Sequence, residues 1–167
     1  MTKGYTKKDL FVTGPQRTFS GASLNQVIFP IGGIGTGCVG LTGRGSLRDW
    51  QIFNRPNFGG VTWRTFPAIY AREKGQDPVC RVLEGPIPPP HIEGGGGDPC
   101  HSGQGFPHMD DCEFQGEYPF AYIDFKSRKL PVKVALEAYN PFIPGNADDS
   151  GFPAAVLRYT VTNITKN

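Results

Sequence analysis

Glycine and proline recur so often along this chain that long helices have almost no room to form. The 167 residues include 23 glycines and 16 prolines, and few windows of eleven residues escape both. Inside a helix, glycine costs about 1 kcal/mol and proline about 3 kcal/mol relative to alanine. Aromatic residues, which disordered chains lack, make up 12% of the sequence. The composition therefore predicts a folded, turn-rich β protein with room for one domain of ordinary size.

Period-2 alternation of apolar residues predicts strands, most clearly in the C-terminal third of the chain. This alternation places one face of each strand on a core and the other toward water. Seven or so strands without intervening helices indicate an all-β fold, a partial antiparallel β-sandwich with long Gly/Pro-rich loops. The predicted strands are Val27–Ile31, with Pro30 marking an edge strand or a strand end; a strand around Trp50 and Ile52; Val61–Phe66 with Ala68–Arg72, bent near Pro67; Val79–Leu83; Phe120–Lys126; Val132–Tyr139; and Ala155–Thr162.

Three regions differ in composition. Residues 1–24 are polar and predict an irregular lead-in, whereas residues 25–167 carry the strands of the sandwich. Within them, residues 85–112 are rich in glycine and proline and poor in large apolar side chains, which predicts a long surface loop.

Charge and hydropathy exclude several classes of protein. The net charge is +2, and basic and acidic residues are interspersed, unlike a nucleic-acid footprint or a polybasic membrane segment. No apolar run approaches the ~18 residues of a membrane span. The N-terminus has lysines but no apolar core behind them, so no secretory signal is seen and a cytoplasmic chain is expected. The four cysteines form no C-x-x-C pair, and free thiols are predicted.

Gly35–Gly40 fits the G-x-G-x-x-G pattern of dinucleotide-binding loops. Such a loop must open a helix, yet the next residues, Leu41–Gly45, make a poor first helical turn. The acidic residue expected about 20 positions on is also absent. The pattern therefore does not indicate a nucleotide. The glycines instead predict a backbone turn pressed against another sheet, another domain or a ligand, formed by Gly32, Gly33, Gly35 and Gly37.

Cys100, His101, His108 and Cys112 could ligate zinc chemically, but their spacing matches no zinc template, so no metal and no cofactor are predicted. The acidic pairs Asp110-Asp111 and Asp148-Asp149 are typical of solvated loops and turns. No catalytic residue is assigned.

Arg48, Asp49, Trp50 and Arg55 are the candidate ligand-binding or interface residues. A tryptophan can stack on a sugar ring, while arginine and aspartate supply directional hydrogen bonds. The alternative is a core tryptophan flanked by an ion pair on the strand surface. The alternation of Trp50 with Ile52 favours this alternative.

Three blocks of sequence, in order, resemble the N-terminal domain of glycoside hydrolase family 116, the non-lysosomal β-glucosidases and glucosylceramidases. The first, FPIGGIGTGCVGLTGRGSLRDWQIFNRP (Phe29–Pro56), is similar to the opening signature of that domain. The second, FQGEYPFAYIDF (Phe114–Phe125), looks like its F-x-G-x-Y-P-F-A strand. The third is LPVKVALEAYNPFIPGNADDSGFPAAVLRYTVTN (Leu130–Asn163).

The resemblance implies a β-sandwich that packs on a separate (α/α)6 barrel. In this family the barrel carries the nucleophile and the acid/base of retaining hydrolysis, and the substrates are β-glucosides or glucosyl lipids. No barrel sequence is present here, so no catalytic residue can be carried over. The resemblance also implies that the sequence stops partway through the sandwich. The first hypothesis is therefore a non-catalytic fragment, and the second is a free-standing carbohydrate-binding or protein-interaction module. In the first case, open strand edges predict poor solubility or dependence on a partner.

Overall fold

A computed structural model describes residues 6–12, 14–53, 55–60, 62, 65–87 and 105–165, and it confirms an all-β chain without a closed barrel in these ranges. The strands are β1 (Thr18–Ser20), β2 (Ile28–Ile31), β3 (Gly37–Thr42), β4 (Leu47–Ile52), β5 (Ala68–Ala71), β6 (Val79–Val82), β7 (Asp111–Glu117), β8 (Phe120–Lys126), β9 (Val132–Tyr139) and β10 (Val156–Asn163). The helical elements are short: α1 (Lys7–Leu10), a 3₁₀ helix (Gly21–Gln26) and α2 (Ala147–Ser150). Among the residues described, no helix is long and apolar enough to cross a bilayer.

The largest sheet has five antiparallel strands in the order β1-β7-β8-β9-β10. Its inner face is apolar, as the alternation predicts, and its outer face carries the polar side chains. The inner residues of the central strands are buried: Cys112, Phe114, Ala121, Ile123, Phe125, Val134, Leu136 and Ala138. Fully burying one such large side chain stabilises the fold by about 1.5–3 kcal/mol.

A three-stranded sheet, β2-β3-β4, supplies the other main part of the core. Its buried residues Ile31, Val39 and Leu41 belong to the same apolar cluster as Phe114 and Ile123. Strand β2 is an edge strand, which confirms the prediction made from Pro30. A separate two-stranded sheet, β5-β6, completes the set within the described ranges.

In the described residues, regular structure differs from the sequence-based expectation in three places. Regular structure begins before residue 25, because β1 pairs with β7 and the 3₁₀ helix follows directly. Of the predicted strand Val61–Phe66, the described residues lie outside any strand, and the amide of Thr65 instead bonds back to the carbonyl of Thr62 at 3.3 Å.

The predicted surface loop 85–112 also enters the core at its C-terminal end. Met109 and Cys112 are buried, β7 begins at Asp111, and the amide of Met109 donates to the carbonyl of Glu84 at 3.0 Å. The glycine and proline content predicted a surface loop wrongly at this end, because the burial of Met109 and Cys112 depends on contacts with segments that are distant in the sequence. Residues 88–104 of that loop lie outside the described ranges.

A buried ion pair joins the β3–β4 turn to the segment after β6. Arg44 and Glu84 are 3% and 0% exposed, and Nη2 of the arginine lies 3.3 Å from Oε2 of the glutamate. Nε of Arg44 also donates to the carbonyl of Gly85 at 3.3 Å, and the imidazole of His108 lies 4.0 Å from Glu84. Removing one partner of a pair buried this deeply strongly destabilises the fold, because the other charge is left buried without its counter-charge.

Burial raises the pKa of the Cys112 thiol from 9.0 to about 12, with the nearby Asp111 carboxylate adding to the effect. Burial, followed by the charge of Glu84, also raises the pKa of the Tyr159 phenol. Both groups hold their protons in the folded state at pH values where the unfolded chain releases them. Their contribution to stability is therefore complete below the unfolded pKa and is lost as pH rises toward the folded pKa.

We expect the free energy of unfolding to fall from pH 9 upward, by at most about 1.4 kcal/mol per pH unit for each group. Urea titrations at increasing pH measure this slope. The Cys112→Ala variant should show a shallower slope than the wild-type chain, and an unchanged slope would contradict the assignment to Cys112.

Candidate functional site

The glycine turn, residues 32–37, connects β2 to β3 and lies against the segment that precedes β10. The amide of Ile34 donates to the carbonyl of Ser150 at 2.9 Å, and the hydroxyl of Thr36 donates to the carbonyl of Gly33 at 3.1 Å. The turn therefore leads into a strand, not into the helix that a dinucleotide loop requires. The turn packs against another segment of the same chain, near Ser150.

Three of the four predicted turn glycines have no room for a side chain. A β-carbon on Gly33 would collide with the backbone oxygens of Phe152 and Gly151. Gly37 has φ +115°, and a β-carbon there would lie 2.5 Å from the carbonyl oxygen of Gln51. A β-carbon on Gly32, which has φ +144°, would lie 2.5 Å from the carbonyl oxygen of Gly37. Backbone packs on backbone at all three positions, which only glycine permits. Gly35 also has a positive φ, but a β-carbon there would meet nothing within 4 Å.

Asn140 joins the glycine turn to the five-stranded sheet, and sequence analysis missed it. Its Oδ1 accepts from the amide of Gly32 at 2.7 Å, and its Nδ2 donates to the carbonyl of Pro30 at 3.0 Å. The side chain is buried directly after β9. The sequence showed only that Asn140 lies between a strand and a proline. Its role could not be predicted from this, because its partners lie more than 100 residues away in sequence.

A β-bulge in β4 positions Asp49. Cys38 pairs with Gln51 and Gly40 with Arg48, so two residues of β4 oppose one residue of β3. Asp49 takes φ +53° at this point and becomes buried. Its Oδ1 accepts from the amide of Gly59 at 2.5 Å, and its own amide donates to the carbonyl of Gly60 at 2.6 Å. The bulge therefore re-aims the carboxylate to hold the 57–60 turn.

The structure brings Arg48, Asp49 and Trp50 together, as adjacent residues of one strand require. Nε of Arg48 lies 3.6 Å from Oδ1 of Asp49, so the predicted ion pair is present. Trp50 packs against the core, and its Nε1 is buried without a hydrogen-bond partner among the residues described. Arg55 is exposed and lies beyond the end of β4.

Trp50 and the glycine turn line an apolar cleft of about 310 Å³. Ile52, Phe53 and residues 153–155 also line it. Large apolar side chains near this cleft are exposed to water: Ile34 (50%), Ile52 (49%), Phe53 (83%) and Phe152 (64%). We call these four side chains the apolar rim.

Within the described residues, the other polar candidates are not brought together into a site. Cys100 and His101 lie outside the described ranges, whereas His108 contacts the buried Glu84 and Cys112 is buried with its thiol 3.8 Å from the carbonyl of Gly43. Within those ranges, no group of three or more histidine, cysteine, aspartate or glutamate side chains could hold a metal ion. Asp148 and Asp149 lie in the single turn of α2, which Asn146 caps.

A family model described as "beta-glucosidase 2, glycosyl-hydrolase family 116 N-term" matches residues 29–167. The chain belongs to this family. The match takes in the glycine turn, the apolar cleft and all three blocks that carry the resemblance. This family 116 N-terminal domain begins its matched region inside β2, so β1 and the 3₁₀ helix precede it. No curated relative matches the domain.

Proposed function

We propose that this chain is the non-catalytic β-sandwich portion of a β-glucosidase or glucosylceramidase. It packs on and supports a separate (α/α)6 catalytic domain, which hydrolyses β-glycosides with retention. The family match supports the proposal, since the family is named as the N-terminal part of a glycosyl hydrolase.

The apolar rim is the observation that carries the proposal. Four large apolar side chains stand in water near a cleft that is itself lined mainly by apolar groups. Exposed large apolar side chains beside an apolar cleft are typical of an interaction site. A catalytic domain that covers the rim would bury these side chains and exclude water from the cleft.

Phe53 is the side chain from which we expect the largest contribution to docking. It is 83% exposed, and its backbone takes φ +54°, a conformation that bulky residues rarely adopt. Holding a non-glycine residue there costs about 1–2 kcal/mol. Phe53 lines the cleft but gains little packing within the described part of the chain in return for this cost. We therefore assign its exposed ring to a contact made outside that part.

The test measures binding of this chain to the family 116 catalytic domain of the same source organism. We expect a complex, and we expect Phe53→Asn to weaken it by about 10–30-fold, the loss of an interface hot spot. Asparagine tolerates positive φ, so the variant should be as stable as the wild-type chain or about 1 kcal/mol more stable. Isothermal titration calorimetry and urea unfolding measure the two quantities.

The matched control is Phe11→Asn, because Phe11 is 75% exposed and lies near the N-terminus, outside the rim. It should bind like the wild-type chain. Equal binding of Phe53→Asn and the wild-type chain would contradict docking through the rim. The isolated chain should also fail to hydrolyse an aryl β-glucoside, and turnover would overturn its non-catalytic role.

A further inference from the structure

A trough of about 550 Å³, lined by both apolar and polar residues, lies on the outer face of the five-stranded sheet, and it shares no lining residue with the apolar rim. Its floor is Ala135, which pairs with Asp124 on one side and Thr160 on the other. The small alanine side chain stands between longer ones along this row. A trough of this volume is within the usual range of ligand pockets, about 300–1,000 Å³.

The side chains around the trough carry balanced charge. The polar ones comprise two carboxylates, two ammonium groups and three hydroxyls: Glu113, Asp124, Lys126, Ser127, Lys133, Thr160 and Thr162. Lys126 already pairs with Glu113 at 3.2 Å and with Asp111 at 3.9 Å. The side chains of Asp124, Lys133, Thr160 and Thr162 make no hydrogen bond or ion pair with other described residues, so their polar groups are available to a ligand.

This mixture favours a neutral ligand with many hydroxyl groups. An anion would have to approach Glu113 and Asp124, and a cation would have to approach Lys126 and Lys133. A sugar hydroxyl both donates and accepts, so it can bond to a carboxylate, an ammonium group and a threonine hydroxyl alike. Equal numbers of positive and negative side chains suit such a ligand better than a charged one.

Aromatic side chains continue the outer face beside the trough. Tyr122 lies two residues before Asp124 on β8 and therefore on the same face. Its ring and that of Phe120 are nearly parallel, with an interplanar angle of 15° and centroids 6.4 Å apart. Both rings are partly exposed, and an aromatic ring beside a few directional polar groups is the usual composition of a small-molecule site.

We propose that the trough binds a neutral oligosaccharide, with one sugar ring above Ala135 and a neighbouring ring against Tyr122. The site is on the opposite side of the five-stranded sheet from the core. Sugar binding there requires neither the glycine turn nor the apolar rim. A negative result for sugar binding would therefore leave the docking of a catalytic domain intact, and a negative result for docking would leave sugar binding intact.

The experiment titrates the 167-residue chain with cellotetraose and with maltotetraose and records binding by calorimetry and by amide NMR shifts. We expect at least one tetrasaccharide to bind, with shifts centred on β8, β9 and β10. Ala135→Leu fills the trough and should weaken binding about tenfold or more. Ala68→Leu makes the same change at an exposed strand position outside the trough and should bind like the wild-type chain.

A second variant, Asp124→Asn with Lys133→Gln, keeps the shape of the trough and removes its two unpaired charges. This double variant should also bind the tetrasaccharide more weakly than the wild-type chain. If Ala135→Leu does not fold, the double variant alone tests the proposal. The proposal is overturned if neither sugar binds, or if both trough variants bind as tightly as the wild-type chain. It is also overturned if inorganic phosphate, and not a sugar, shifts these residues.

Discussion

The Glu84→Ala variant should lose about 3–5 kcal/mol of unfolding free energy. The substitution leaves the guanidinium of Arg44, which is 3% exposed, without the carboxylate that lies 3.3 Å from it. The solvation that the arginine gave up on folding is then only partly compensated, by its remaining hydrogen bonds, including the one to the carbonyl of Gly85. Because Arg44 and Glu84 belong to segments 40 residues apart, the loss should loosen the contact between the β3–β4 turn and the end of β6. Urea unfolding monitored by circular dichroism measures the change.

Replacing both partners provides the sharper test. In an Arg44→Met, Glu84→Leu variant no buried charge is left uncompensated, so we expect it to be more stable than Glu84→Ala alone. Glu117→Ala, at an exposed end of β7, should stay within about 0.5 kcal/mol of the wild-type chain. If Glu84→Ala were no more disruptive than Glu117→Ala, the pair would not hold these segments together.

The Gly33→Ala variant should lose about 3 kcal/mol, at the upper end of the usual cost of overpacking. Its β-carbon would meet three oxygen atoms: the backbone carbonyls of Phe152 and Gly151 and the hydroxyl of Thr36. The two carbonyls belong to the main chain and cannot turn aside as a long side chain could. The turn or the segment before β10 must therefore shift, which would also distort the apolar cleft. Thermal and urea unfolding measure the loss.

Gly14→Ala is the matched control, because a β-carbon at Gly14 meets nothing within 4 Å and its φ is not in the left-handed range. That variant should be neutral or up to about 1 kcal/mol more stable, since alanine has less conformational freedom in the unfolded chain. Equal stability of Gly33→Ala and Gly14→Ala would show that the turn does not lie as close to residues 151–152 as described.

The sequence predicted those parts of the fold that depend on local pattern. Strict alternation in Phe120–Lys126 and Val132–Tyr139 identified β8 and β9, and Pro30 marked an edge strand because proline cannot donate to a ladder. The family resemblance, carried by three ordered blocks, was confirmed by the family match. The adjacent candidates Arg48, Asp49 and Trp50 were brought to one place by their shared strand.

Other features depend on contacts between distant segments, which no local pattern encodes. The bulge at Asp49 follows from the register between β3 and β4, and the role of Asn140 follows from two partners more than 100 residues earlier. Strand β7 begins inside a stretch whose glycine and proline content predicted a surface loop. The trough around Ala135 is visible only when β8, β9 and β10 are placed side by side.

Hydrogen–deuterium exchange of this chain, with and without the family 116 catalytic domain, tests docking through the apolar rim most directly. We predict slower exchange in the complex over residues 32–38, 50–53 and 151–155, which surround the cleft, and little change on β8. Protection confined to the outer face of the five-stranded sheet, or no protection at all, would contradict the account.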